Sequence, residues 1–204
     1  MESVTQSKFI DIFRKKAVTL FSINDLEKFF GSKSPVIYWN LVKRLQKSNV
    51  IRSLIRGKYE FLFAAEKAGD YEIANYLVNP SYISLETALS YYEIIDQFPY
   101  TVTSVTIKKA RAYEIGPKSY GYAKIATDLF FDYQKQDNFL IATKQKAVLD
   151  YLYLAFRGKR SRNNISLMRF DRSILTKKEI GDYILQHMGK NKSFLKFCRH
   201  NNIL

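Results

Sequence analysis

Residues 22–63, SINDLEKFFGSKSPVIYWNLVKRLQKSNVIRSLIRGKYEFLF, leave little freedom in how they fold. Ser22 is placed to cap a helix in which Leu26, Phe29 and Phe30 share one face. Asp25 stands at its third position, in the manner of a capping box. Gly31 ends that helix, and Ser32-Lys33-Ser34 leads into Pro35, a residue suited to a first helical turn. The next helix is expected to run from Pro35 to about Ser48. Ile37, Leu41 and Leu45 form its apolar stripe, widened by Tyr38 and Val42, and Trp39, Asn40, Lys43 and Lys47 fall roughly opposite. Two runs, 50–54 and 58–63, read as strands joined at Arg56-Gly57-Lys58 in a hairpin. With a short amphipathic helix before them at 8–16, these elements give the order helix, helix, turn, helix, wing, and predict a winged helix-turn-helix over residues 1–65.

The charge of this segment names the kind of partner it suits. Lys33, Lys43, Arg44, Lys47, Arg52, Arg56 and Lys58 crowd into residues 33–58. The whole chain carries +14, unevenly: 12 Lys/Arg against 5 Asp/Glu in residues 1–65, 9 against 11 in 66–150, and 12 against 3 in 151–204. Two basic ends around a near-neutral middle point to an anionic partner, with double-stranded DNA at the N-terminal end. Asn40 suits a bidentate pair with adenine and Lys43 a contact to guanine. Ser32, Lys33 and Ser34 at the helix start suit phosphate, as do Arg44, Lys47, Arg56 and Lys58. Trp39 either packs between helices or touches DNA, with packing the favoured reading.

The remaining residues, 66–204, read as a second domain of α/β type, a small and mostly antiparallel sheet with helices packed on it. The fold class expected of the whole is α+β. Asp70 is placed to cap a helix over 71–78, and Ser84 one bearing Leu85, Ala88, Leu89 and Tyr92. Strands are expected at 101–108, 112–115, 120–126, 129–133 and 139–142, and a nearly all-apolar helix after Thr143 as far as 156. A basic loop follows, with Arg157, Lys159, Arg160 and Arg162 as a possible second anion-contacting surface. Helices are then expected at 173–187 and 192–201.

Nothing in the sequence argues for catalysis. The histidines are His187 and His200 alone, and the single cysteine, Cys198, rules out a CxxC zinc cluster and fits a reducing cytoplasm. No Gly-rich phosphate loop or nucleophile elbow occurs, so no catalytic residue, metal or cofactor is expected. No apolar run approaches the ~20 residues that span a bilayer, so no membrane partner is expected.

Three segments beyond the hairpin resemble a known family. They are IANYLVNPSYISLETALSYYEII (73–95), PYTVTSVTIKKA (99–110) and IATKQKAVLDYLYL (141–154). Over residues 9–154 the chain is similar to the AbiEi-type antitoxins of bacterial type IV toxin–antitoxin and abortive-infection systems. Those proteins join an N-terminal winged helix-turn-helix to a C-terminal antitoxin domain. The resemblance implies a cytoplasmic transcriptional regulator, an autorepressor that binds inverted repeats in its own promoter. It also implies that the chain counteracts a nucleotidyltransferase-type toxin without forming a stable complex with it. Two other readings stay open on the residues alone: a winged-helix transcription factor with a sensing C-terminal domain, and a nucleic-acid-processing enzyme.

Overall fold

The computed structural model describes residues 4–31, 34–170 and 174–204. It is α+β, with eight α-helices and two sheets among the described residues. The chain divides into two compact units, Met1–Leu77 and Val78–Leu204. No described helix is long and apolar enough to cross a membrane.

The first unit contains α1 (Gln6–Lys15), β1 (Leu20–Ser22), α2 (Asp25–Phe30), α3 (Pro35–Lys47), β2 (Ile51–Ile55), β3 (Lys58–Phe61) and α4 (Asp70–Leu77). Its sheet is antiparallel in the order β1-β3-β2. β1 is an element the sequence reading lacked. Ser22 belongs to this strand, so it does not cap α2. Its amide and hydroxyl both donate to the Asp25 carboxylate instead, at 2.9 and 2.7 Å. Gly57 turns the β2–β3 hairpin at φ 80°, a conformation that favours glycine.

The core of this unit is aromatic. Phe9 and Phe13, one turn apart on α1, stack with ring centroids 4.0 Å apart, and Phe21 and Phe61 from the sheet meet Phe13 edge-on at 4.9 and 5.5 Å. Tyr38, Leu41, Val42 and Leu45 of α3 close the core. Each such buried side chain contributes roughly 1.5–3 kcal/mol. Ile37, expected in this stripe, is 40% exposed. It lies about 100° round the helix from Val36 and about 60° from Asn40, at the edge of the buried face, and Tyr38 lies inside.

The second unit contains β4 (Tyr82–Ile83), α5 (Leu85–Tyr91), β5 (Thr101–Thr106), β6 (Arg111–Ile115), β7 (Lys118–Lys124), β8 (Tyr133–Gln136), β9 (Phe139–Ala142), α6 (Lys144–Phe156), α7 (Lys177–Met188) and α8 (Lys192–His200). Its sheet order is β6-β7-β5-β4-β9-β8. The sheet expected to be mostly antiparallel is mixed, with three of its five strand pairs antiparallel. Antiparallel pairs β6–β7, β4–β5 and β8–β9 alternate with the parallel pairs β5–β7 and β4–β9. The cause is topological: each hairpin joins the central pair through its second strand, which then runs parallel to its new neighbour.

The strand expected at 129–133 starts later, at Tyr133. Thr127–Leu129 forms a single 3-10 turn, with Leu129 buried beneath it. The consecutive apolar residues Leu129, Phe130 and Phe131 anchor a loop and do not form one face of a strand. α7 begins at Lys177, where Thr176 and Glu179 form a capping box. Ser173, where that helix was expected to start, lies outside the described residues.

Candidate nucleic-acid interface

α3 has one buried and one exposed side. Tyr38, Leu41, Val42 and Leu45 face the core, while Val36, Trp39, Asn40, Lys43 and Lys47 are exposed along the opposite side. Trp39 is 38% exposed, so it lies on the outer face and is not sealed between helices as favoured from the sequence. The Tyr38 hydroxyl donates to the Gly31 carbonyl at the end of α2, which fixes how α3 departs from α2.

The predicted contact residues separate into groups. Ser32 and Lys33 lie outside the described residues. Ser34 is exposed at the N-cap of α3 without a side-chain capping bond. Asn40, Lys43 and Lys47 share the outer face, and Arg56 is exposed at the hairpin tip. Arg44 is exposed too, but its guanidinium donates to the Val4 carbonyl at 2.9 Å, tying the start of the chain to α3.

Lys58 has a different task from the one expected of it. Its ammonium donates to the carbonyls of Tyr76 and Leu77 at 2.5 and 3.2 Å and lies 4.8 Å from the Tyr76 ring centre. It caps the C-terminal end of α4, where carbonyls lack helical partners. Arg52 is likewise engaged, with Glu60 at 2.8 Å.

Asp25 adds a local anion at the start of α2. Burial pushes its carboxyl up, but hydrogen bonds from Lys28 and Ser22 outweigh this and hold it below the usual carboxylate value.

The second basic surface expected from the sequence is less uniform than its charge suggests. Arg157 and Lys159 are exposed. Arg160 is half-buried and pairs with Glu86 at 3.1 Å, and Arg162 lies over the Phe197 ring at 5.4 Å from its centre.

Sequence reasoning missed a polar cluster inside the second unit. Asp150 accepts hydrogen bonds from Ser84 Oγ at 2.8 Å, from the Tyr82 hydroxyl at 3.0 Å, and from the Lys146 ammonium. Lys146 and Asp150 are 0% and 2% exposed, and Lys146 Nζ lies 5.0 and 5.6 Å from the ring centres of Phe131 and Tyr82. Burial raises the Asp150 carboxyl above its ordinary value, against the pull of Lys146 and the two hydroxyls. Ser84 therefore stands at the N-cap of α5 but turns its hydroxyl to Asp150. The available signal was Lys146 and Asp150 four residues apart within an otherwise apolar helix, a spacing that places them on one face. With all four side chains enclosed, this cluster supports the fold and offers no surface to a ligand. Among the described residues, no three His, Cys, Asp or Glu side chains converge to hold a metal ion.

Set against protein-family models and against curated proteins, the sequence matches none.

Proposed function

We propose that the first unit is a winged helix that binds duplex DNA through the outer face of α3, with Arg56 at the wing tip reaching the backbone. The observation that carries this reading is the face itself. A helix fully packed on one side presents an amide, two lysines and an indole on the other. A major groove admits one α-helix, and exposed polar side chains on such a helix reach base edges. Lys43, Lys47 and Arg56 supply the phosphate neutralisation, while Arg44, Arg52 and Lys58 hold the unit together.

The wider role proposed is that of an autorepressing antitoxin in a type IV toxin–antitoxin system, opposing a nucleotidyltransferase-type toxin without catalysis of its own. It is supported by the resemblance of residues 73–95, 99–110 and 141–154 to AbiEi-type antitoxins and by the order of the two units.

Fluorescence anisotropy on duplex DNA from the chain's own promoter, over a range of salt, tests the first part. Each phosphate neutralised adds about 0.9 to the slope of log K against log salt, so Lys43→Ala/Lys47→Ala lowers the slope by roughly two. An unchanged slope removes α3 as the binding face. Co-expression with a nucleotidyltransferase-like toxin encoded beside the gene tests the second part. Growth restored by the chain is the expected result, and continued arrest at matched expression refutes it.

A further inference from the structure

The outer face of α3 changes character along its length. Its first two turns present Val36, Trp39 and Asn40, and its later turns Lys43 and Lys47. Val36–Asn40, Trp39–Lys43 and Lys43–Lys47 are each four residues apart, so these side chains run along one side. Val36 is 63% exposed. In the helix-turn-helix mode of binding, the N-terminal residues of the recognition helix are the ones that meet base edges. Those residues here are the apolar Val36 and Trp39, with Ile37 at the edge, and one amide.

These residue types match two edges of the major groove and fit a third poorly. An asparagine amide pairs in bidentate fashion with adenine, and apolar side chains pack on the thymine methyl. Guanine is read by arginine or lysine, most selectively by the planar fork of an arginine; Lys43, which suits such a contact, stands beyond the first two turns. The arginine of α3, Arg44, is held by the Val4 carbonyl, and Arg52 on β2 is held by Glu60. The apolar residues are confined to the first two turns, and Lys43 and Lys47 continue the same side, so the face is not the large apolar patch that marks a protein-docking surface.

Resting on the DNA-binding reading above, we propose that α3 is a reader of A·T base pairs. Asn40 pairs with an adenine, Val36 and Trp39 pack on thymine methyl groups, and Lys43 and Lys47 hold phosphates. The operator half-site therefore centres on A·T steps, and part of the discrimination comes from the methyl groups.

The test has two stages. Selection of full-length protein on a random duplex pool gives the preferred half-site, expected to hold A·T pairs at its centre. Binding is then measured on that site with its thymines replaced singly by deoxyuridine, which removes only the methyl. Each replacement at a contacted position is expected to weaken binding about fourfold, the loss of one buried methyl-sized group. Trp39→Ala and Val36→Ala each abolish the thymine-over-uracil preference at one position, and Asn40→Ala lowers adenine preference by about tenfold at another. Circular dichroism checks that each variant keeps its fold, and the deoxyuridine series on the unaltered protein tests the methyl contacts independently. A selected site centred on G·C pairs, or tight binding indifferent to uracil, overturns the A·T assignment while leaving the DNA-binding reading intact. Absence of sequence-selective duplex binding overturns both.

Discussion

Lys146→Met asks directly how the second unit tolerates a charge pair in its core. Methionine has nearly the length of lysine, so the change removes the ammonium without opening a large cavity. It leaves the Asp150 carboxylate, 2% exposed, with only the hydroxyls of Ser84 and Tyr82 as partners. A carboxylate so placed does not stay ionised; it takes up a proton, as its already raised pKa foreshadows. Holding an aspartic acid of ordinary pKa ~3.9 neutral at pH 7 costs about 4 kcal/mol, at 1.36 kcal/mol per pH unit. The two remaining hydrogen bonds offset part of this, so the expected loss at pH 7 is about 2–4 kcal/mol.

The sign of the pH dependence follows. The folded variant carries the proton and the unfolded chain does not, so stability falls as pH rises from about 4 to the folded pKa. Lowering the pH from 7 to 5 should therefore restore about 2.7 kcal/mol relative to the wild type. Urea unfolding followed by circular dichroism measures this. Emission from Trp39, the sole tryptophan, follows the first unit separately as an internal control. Adding Asp150→Asn should flatten the pH slope and recover most of the stability, because the amide keeps hydrogen bonds to Ser84 and Tyr82 without a charge. A loss below 1 kcal/mol at pH 7, or no difference in slope from the wild type, would refute the enclosed pair.

Three further outcomes are expected. The Asp25 carboxyl is held below its ordinary value, so the stability it contributes is present above about pH 4 and lost as pH falls through the folded pKa. Asp25→Asn should remove that acid sensitivity of the first unit, which Trp39 emission during acid titration reports, and an unaltered acid limb counts against the Ser22–Asp25–Lys28 bonds. Arg56→Ala should lower the salt slope of DNA binding by about one without changing stability. Lys58→Ala should destabilise the first unit by about 1–2 kcal/mol through the lost cap on α4, and equal stability of the two variants would undo that division of roles. Cys198 is buried and its thiol is pushed up to about 12, so it should resist a thiol reagent at pH 8 until the chain unfolds; rapid labelling of native protein contradicts its placement.

The first unit was legible in the sequence because its signals are local. Phe9 and Phe13, Leu41 and Leu45, Gly31, Pro35 and Gly57 each act within a turn or two, and each stands where helical spacing or turn chemistry requires. What escaped reading was non-local. β1 has three residues and no pattern of its own, and it exists because Leu20, Phe21 and Ser22 pair with Glu60, Tyr59 and Lys58. Lys58 looked like a wing cation, but α4, eighteen residues on, supplies carbonyls that engage it. The candidate site shows the same division. Asn40, Lys43 and Lys47 follow from helical phase alone, whereas the engagement of Arg44 by Val4 depends on where the start of the chain lies.

The enclosed cluster also changes what the antitoxin-like segments say. Tyr82 and Ser84 come from the first of them and Lys146 and Asp150 from the third, and all four meet at one carboxylate. The second segment joins them through Thr103, whose hydroxyl donates to the Ser84 carbonyl at 2.8 Å, and Thr106, whose hydroxyl donates to the Pro80 carbonyl at 2.6 Å. Residues that must satisfy one another in a dry interior are the hardest to exchange singly, because each lost partner leaves an unpaired polar group. The motif therefore specifies a core, and a resemblance resting on it speaks to the architecture of the second unit more directly than to any contact with a partner. On the proposed function, toxin neutralisation belongs to the surface these segments leave outside, and a Lys146→Met/Asp150→Asn chain that keeps its fold should still restore growth.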